Sequence, residues 1–557
     1  MSCLLILASF QSGRAESAKA AKAKAATTSP DVKPSDPNKV DLDMVTRIRQ
    51  EEFRHSQVMS IMSDIADGIG PRLTNSPNMR KANAWTRDQF TKWGLENAHL
   101  EPWGPFGRGW AYEISAVRMV SPDRAELIAL PKAWTPGTSG AVRGKVVRAT
   151  ITSKKDFAKY KGKLGGAIVL IGEDREIKPH AEAELKRYSD KELDEIYQYE
   201  IPKDRSDTAL MERLHRTAFS KELTKFLEDE KPLAVIEKTR SPGDGGTIFV
   251  QSGGSYKKDE PIGPPYLVMA AEHFGRIARL LSRKVDVELE VNVKADFYDD
   301  DAFGYNTIAE IPGTDLRDEV VMLGGHLDSW HGGTGATDNG AGCAVAMEAV
   351  RLIKALGIKP RRTIRIALWS GEEQGLLGSR GYVKEHFAVR PEDPDEQKLP
   401  EFMRRLAGPL QLKPEQSKVS AYFNLDNGTG KIRGIHLQEN AAAAPIFASW
   451  MEPFKDLGMT TLTMRNTGGT DHLSFDAAGI PGFQFIQDEI EYDTRTHHSN
   501  LDVYERIQRE DMMQASAIMA SFVYDAAMRD QMLPRKPLPQ PEPKREAPKD
   551  ADEAEKN

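Results

Sequence analysis

The segment GGHLDSWHGGTGATDNGAG, Gly324 to Gly342, sets His326, Asp328, His331 and Asp338 among closely spaced glycines. The chain has only 12 histidines, so imidazole and carboxylate gathered in so short a stretch point to metal chemistry. Further along come Glu372–Glu373, Asp426 and His497–His498. Imidazole and carboxylate without thiolate suit zinc or a similar divalent ion. More than four such groups imply two metals sharing a carboxylate, a pair that clamps a water and polarises a carbonyl. A carboxylate left over from ligation then takes the water's proton. Adjacent glutamates point in different directions, so one of the pair can ligate while the other faces substrate.

These residues follow a regular series of elements. EVVMLGGH, TIRIALWSGEE, VSAYFNLDNG and GFQFIQD read as strands. GAGCAVAMEAVRLIKAL, GLLGSRGYVKEHF, PIFASWMEPFKDLG and REDMMQASAIMASFVYDAAMRD read as the helices between and after them. Alternation of this kind predicts a mixed, mostly parallel central sheet with helices on both faces, an α/β fold. Open α/β sheets bind ligands beyond the carboxyl ends of their strands. Each predicted strand delivers a metal-competent side chain, or the loop that carries one, at that edge.

From Gly109 to Asp296 the pattern shifts to short β-branched runs bounded by glycine, such as GKLGGAIVLIG, which predicts a compact β-rich unit. A charged stretch, His180 to Glu200, reads as a helix interrupting it. The expected organisation is a signal peptide over 1–25 and a disordered leader over 26–40. A discontinuous catalytic domain follows over 41–110 and 297–533. Residues 111–296 are inserted in it, and 534–557 form a proline-rich disordered tail.

The leader, with its apolar run Cys3 to Phe10 and small residues after it, predicts secretion or a periplasmic location. That run is too short to span a bilayer, and no stable membrane insertion is expected. A net charge of −7 with interspersed signs gives no basic stripe, which argues against nucleic acid as a partner. Cys3 and Cys343 are the only cysteines, and Cys3 falls in the leader, so no internal disulfide framework is expected.

His326-x-Asp328, Asp338-Asn339, Glu372-Glu373, Asp426 and His498, in this order, resemble the motif series of the co-catalytic zinc exopeptidases. That family includes bacterial leucyl-type aminopeptidases and plasma glutamate carboxypeptidase. GPRLTNSP and GTDHLSFDAAGIPGFQF resemble its opening and late motifs, and the inserted unit resembles a protease-associated domain. The resemblance implies two Zn2+ ions and peptide substrates. Asp338 would bridge the metals, with His326 and Asp426 completing one site and Glu373 and His498 the other. Glu372 would be the general base, and Asp328 would orient His326 through its far nitrogen. A cis peptide is implied at Asp338–Asn339.

Where relatives carry tyrosine before the last histidine, this chain has His497, an expected donor to the oxyanion. His331 reads as pocket wall rather than ligand, and Cys343 as core. Asp471, His472 and Arg465 are candidate substrate contacts, and Arg465 and Arg495 candidate partners for a terminal carboxylate. The expected activity is that of an aminopeptidase. The alternatives are a glutamate carboxypeptidase-like carboxypeptidase or dipeptidase, a non-catalytic receptor-like scaffold, and a single-zinc glutaminyl cyclase. Side-chain preference and oligomeric state, monomer or homodimer, stay open.

Overall fold

The computed structural model describes residues 40–201, 207–396, 404 and 407–541. The predicted signal peptide, nearly all of the leader and most of the predicted tail lie outside them. The chain builds two eight-stranded sheets, each with helices on both faces.

The first sheet runs, edge to edge, Glu96–Trp103, Gly304–Ile311, Arg362–Trp369, Leu316–His326, Val419–Asn424, Gly482–Gln487, Ile432–His436 and Thr461–Thr463. Its centre, from Arg362–Trp369 through Gly482–Gln487, is parallel, and antiparallel pairings flank it. Parallel strands buried on both faces read as nearly continuous apolar runs, and Val419–Asn424 is buried at every position. On one face pack helices Leu42–His55, Val58–Ser63, Ala341–Ala355 and Arg509–Met528, whose core includes Ile48, Met347, Leu323 and Phe522. On the other, Tyr382 and Phe475 from Leu377–His386 and His472–Asp476 pack against Trp369 and Tyr422.

The second sheet is ordered Ala125–Leu127, Gly109–Ser121, Glu288–Tyr298, Val142–Ala149, Ile168–Ile171, Ala234–Lys238, Tyr266–Met269 and Ala129–Pro131. It is less purely β than its glycine-bounded runs predict. Val142–Ala149 through Tyr266–Met269 are parallel. In Ile168–Ile171, Ile168 and Leu170 face a core shared with helix Ala271–Ser282, while Val169 and Ile171 face one shared with helix Asp207–Glu230. A strand that buries both faces needs helices on both.

A second difference concerns His180 to Glu200. Only Asp190–Tyr197 is helical. Ser189 and Glu192 form a reciprocal capping box that starts the helix there. The preceding residues are extended toward another loop, Lys186 exchanging both backbone bonds with Ile490 at 2.7 and 2.8 Å.

An aromatic cluster joins the two sheets: Trp103 from the first, Trp110 from the second, Phe106 and Trp134 from loops, and Trp330 from the glycine-rich segment. Among the described residues no helix is long and apolar enough to cross a membrane.

Candidate metal centre

The strand Leu316–His326 ends in His326, and its neighbour Arg362–Trp369 leads through Ser370 and Gly371 to Glu372 and Glu373. On its other side, Val419–Asn424 leads through Leu425 to Asp426. Three adjacent parallel strands thus deliver their polar residues at one edge.

The glycine-rich segment then folds back over that edge. Gly335 sits at φ +63°, and a Cβ there would lie 2.3 Å from the Ser329 Cβ. Gly342, opening helix Ala341–Ala355, lies so close to the Leu425 carbonyl that a Cβ would approach it to 2.0 Å. Asn339 links the same parts, donating to Leu425 O at 2.9 Å and accepting from Gly342 N at 3.0 Å. The Asp338–Asn339 peptide bond is cis.

Asp338 lies at the centre. Its Oδ1 is 3.4 Å from His326 Nε2 and its Oδ2 3.3 Å from His498 Nε2. His326 Nε2 is also 3.3 Å from Asp426 Oδ1, and His498 Nε2 is 3.0 Å from Glu373 Oε2. Glu372 stands further off, 3.8 Å from His326 Nε2. Two groups able to hold an ion lie at this centre, His326–Asp338–Asp426 and Asp338–His497–His498, and they share Asp338.

The donor set passes a test of fit for two divalent ions. His326 Nε2, Asp338 Oδ2, Glu373 Oε1 and Asp426 Oδ1 are buried without a hydrogen-bond partner. Buried polar atoms are rarely left so, and here they converge. Burial, with the neighbouring carboxylates, pushes Glu372 and Glu373 well above the ordinary carboxyl range, although the His326 charge opposes this. Burial opposes charge on His326 too, yet Asp426 and Glu372 hold its imidazole well above its usual value. So many buried carboxylates repel one another, and a divalent cation between them relieves that repulsion.

Asp328 makes other contacts than the one the resemblance implies. Its backbone carbonyl, not its carboxylate, is 3.0 Å from His326 Nδ1, with Oδ1 at 3.6 Å. The carboxylate instead accepts from Thr74 Oγ1 at 2.9 Å and from the backbone N–H groups of Glu372 and Glu373 at 3.2 and 3.3 Å. It therefore fixes the strand end that carries both glutamates. Asp502 does the same for Asp338, accepting from Thr337 N at 2.5 Å and Asp338 N at 3.2 Å.

Sequence reasoning missed the part played by Arg72. Fully buried, it donates to the carbonyls of Leu327, Thr334 and Gly335 at 2.6 to 2.7 Å and of Gly70 at 3.1 Å, clamping the glycine-rich loop. An arginine inside the turn-rich GPRLTNSP was the available signal.

His497 Nε2 is 3.8 Å from Asp338 Oδ2, and its ring stacks on Tyr492 at 4.7 Å. His331 is buried with Nε2 at 2.7 Å from Pro131 O, and burial drops its imidazole to about 4. It braces the second sheet rather than facing the metal centre.

Of the candidate substrate contacts, Asp471 lies within charge range of the centre, raising Glu372 and itself acted on by His326 and Asp426. Asp471 and His472 are fully buried, and desolvation raises the first to about 7 and lowers the second to about 4. Arg465 donates to the carbonyls of Glu195 and Gln198 and pairs with Glu200. Arg495 pairs with Glu184. Both cations are engaged elsewhere because residues 184–200, part of the stretch His180 to Glu200 expected as a helix, come to meet them.

Two cavities flank the centre. One, of about 850 Å³, is bordered by Glu372, Asp426, His497, Tyr492, Glu489 and Asp493. The other, of about 1000 Å³, reaches Glu373 and Gln374 and is bordered by Trp330, Arg216 and Arg240.

Residues 306–523 match the sequence profile of peptidase family M28. Carboxypeptidase Q of Mus musculus is 28% identical over 479 residues, covering 85% of this chain and 86% of its own length. A crystal structure of a peptidase M28 precursor from Shewanella amazonensis SB2B superposes with a TM-score of 0.62 at 23% identity, covering 89% of this chain and 98% of the other. BSAP, a zinc aminopeptidase from Bacillus subtilis, superposes with a TM-score of 0.51 at 18% identity, covering 85% of this chain and 96% of the other. These two likenesses concern the fold.

Proposed function

We propose that this chain, a zinc-dependent exopeptidase related to the M28 peptidases, removes residues from the amino ends of peptides. The convergence of His326, Asp426, Glu373 and His498 on the two oxygens of Asp338 carries the metal chemistry. In this reading His326 and Asp426 would hold one ion, Glu373 and His498 the other, and Asp338 would serve both. When bound, two zinc ions polarise the scissile carbonyl and lower the pKa of water.

The chain's own residues do the rest. Glu372 accepts the proton of the attacking water and hands it to the departing amine. Asp328 keeps Glu372 and Glu373 in their diverging directions through their backbone N–H groups. His497 borders the cavity beside Asp338 and donates to the developing oxyanion.

The smaller cavity supports this direction of attack. Glu489 and Asp493 border it and make no ion pair among the described residues. Carboxylates lining the same cavity as Glu372 attract an α-ammonium group.

Arg240 favours a second reading, a carboxypeptidase or dipeptidase. It borders the larger cavity, lies over the Phe249 ring at 4.2 Å, and has no carboxylate at ion-pair distance among the described residues. A terminal carboxylate would satisfy it. Mouse carboxypeptidase Q, similar over most of both chains, supports the same alternative.

We further assign residues 111–296 as a protease-associated insert that shapes access, 41–110 with 297–533 as the catalytic domain, and a secreted or periplasmic location. Turnover of free-amine against N-acetylated dipeptides and amino-acid anilides decides the direction. The aminopeptidase reading requires anilide cleavage. Release of the carboxyl-terminal residue from an N-acetylated dipeptide, with anilides untouched, overturns it.

A further inference from the structure

A neutral imidazole has one N–H and one lone pair, so a histidine that offers Nε2 to a metal must carry its proton on Nδ1 and place it against an acceptor. His326 meets this need within its own segment, at the Asp328 carbonyl. His498 meets it across the molecule. Its Nε2 faces Asp338 and Glu373, and its Nδ1 is 3.0 Å from Nε2 of the Gln251 side-chain amide. The two ends of a glutamine amide have the same shape, so turning the amide over puts Oε1 in that place, where it accepts from Nδ1–H.

The contact follows from a register set by backbone. Val250 N donates to His498 O at 3.1 Å, and Asn500 N donates to Ile248 O at 3.0 Å. The Asn500 side chain returns a bond, its Oδ1 accepting from Ile248 N at 2.6 Å. Phe249 and Ser499 pair as an isolated antiparallel bridge. This short pairing draws the segment that follows Ala234–Lys238 of the second sheet alongside the histidine loop and leaves Gln251 beside His498. Gln251 is itself exposed at the larger cavity, so it is not there to fill a core.

We infer that Gln251 is a positioning residue for the metal centre, fixing the tautomer and ring orientation of His498. The second sheet's chain thus supplies part of one metal site and not only a wall of the substrate cavity. The inference rests on the reading of His498 as a ligand. Loss of such a partner costs about 10- to 100-fold in metal affinity.

The test compares full-length Gln251→Leu, Gln251→Glu and His498→Ala with the wild type. Zinc stoichiometry and affinity are read by competition with a chromophoric chelator, and melting of the metal-free proteins checks the fold. Gln251→Leu should bind one of two ions about 10- to 100-fold more weakly, with unchanged metal-free melting. Gln251→Glu, which keeps an acceptor, should bind both at least as tightly as the wild type. Wild-type affinity in Gln251→Leu, or equal weakening in both variants, overturns the role of Gln251. Retention of both ions by His498→Ala would instead overturn the ligand reading beneath it.

Discussion

At the scale of single residues, the glutamate pair divides ligation from proton transfer. Both side chains are buried among carboxylates. Only Glu373 comes within 3.0 Å of a histidine nitrogen, and Glu372 stays 3.8 Å from His326. Glu372→Gln is expected to keep wild-type zinc content while kcat falls by at least ~100-fold, the scale of general-base loss. Glu373→Gln is expected to lose zinc. Elemental analysis beside steady-state kinetics checks both, and normal turnover in Glu372→Gln would reverse the assignment. Asp328 shows how such a pair is held. One carboxylate spans two successive backbone N–H groups and so fixes the stretch of backbone from which both glutamates project.

At the scale of elements, helix Leu42–His55 packs against helix Ala341–Ala355, which follows directly from the metal loop. Their contact contains charge. Glu348 is bonded by Arg351 at 2.8 Å and by Gln57 N at 3.0 Å. Glu52 is fully buried beside them, its Oε1 accepting from Ser56 and its Oε2 without a partner. Burial first, and Glu348 second, raise Glu52 from 4.5 to about 9. The folded state therefore keeps a proton there that the unfolded chain releases near 4.5. Proton linkage then makes this site's contribution greatest below 4.5 and lost as pH rises toward about 9. Glu52→Gln removes the titration and keeps an acceptor for Ser56. With zinc held saturating, the variant's melting temperature should gain on the wild type steadily from pH 5 to pH 9. Parallel pH profiles for the two proteins would show that Glu52 does not titrate in this window.

At the scale of the whole molecule, the metal centre is a point of closure. Its residues come from the strand-end loops of the first sheet, the turn at Asp338 and the loop at His498, and that last loop is paired with chain from the second sheet. Ions that bind the folded form alone stabilise it by mass action, about 2.7 kcal/mol at a hundredfold excess over Kd. Zinc added to metal-free protein should raise the melting temperature in a concentration-dependent way, and chelation should reverse it and abolish activity. Active protein that contains no metal by elemental analysis would refute the central reading.

Much of this was legible in the sequence, for a local reason. Largely apolar runs such as VVMLGG and AYFNL, leading into His326 and Asp426, report a buried parallel strand and its exit, so the placing of His326, Glu372 and Asp426 at one edge needs only periodicity and the rule of strand ends. Partner choice is not local. The sequence could not say that the Asp328 carboxylate would turn to Thr74 and the glutamate backbone while its carbonyl met His326. Nor could it say that Arg465 and Arg495 would be taken up by residues 184–200. Gln251 and His498 are 247 positions apart, and no pattern of spacing joins them. Strand periodicity is written in neighbouring residues, whereas a hydrogen bond between distant segments exists only once two sheets have packed and set the register between their loops.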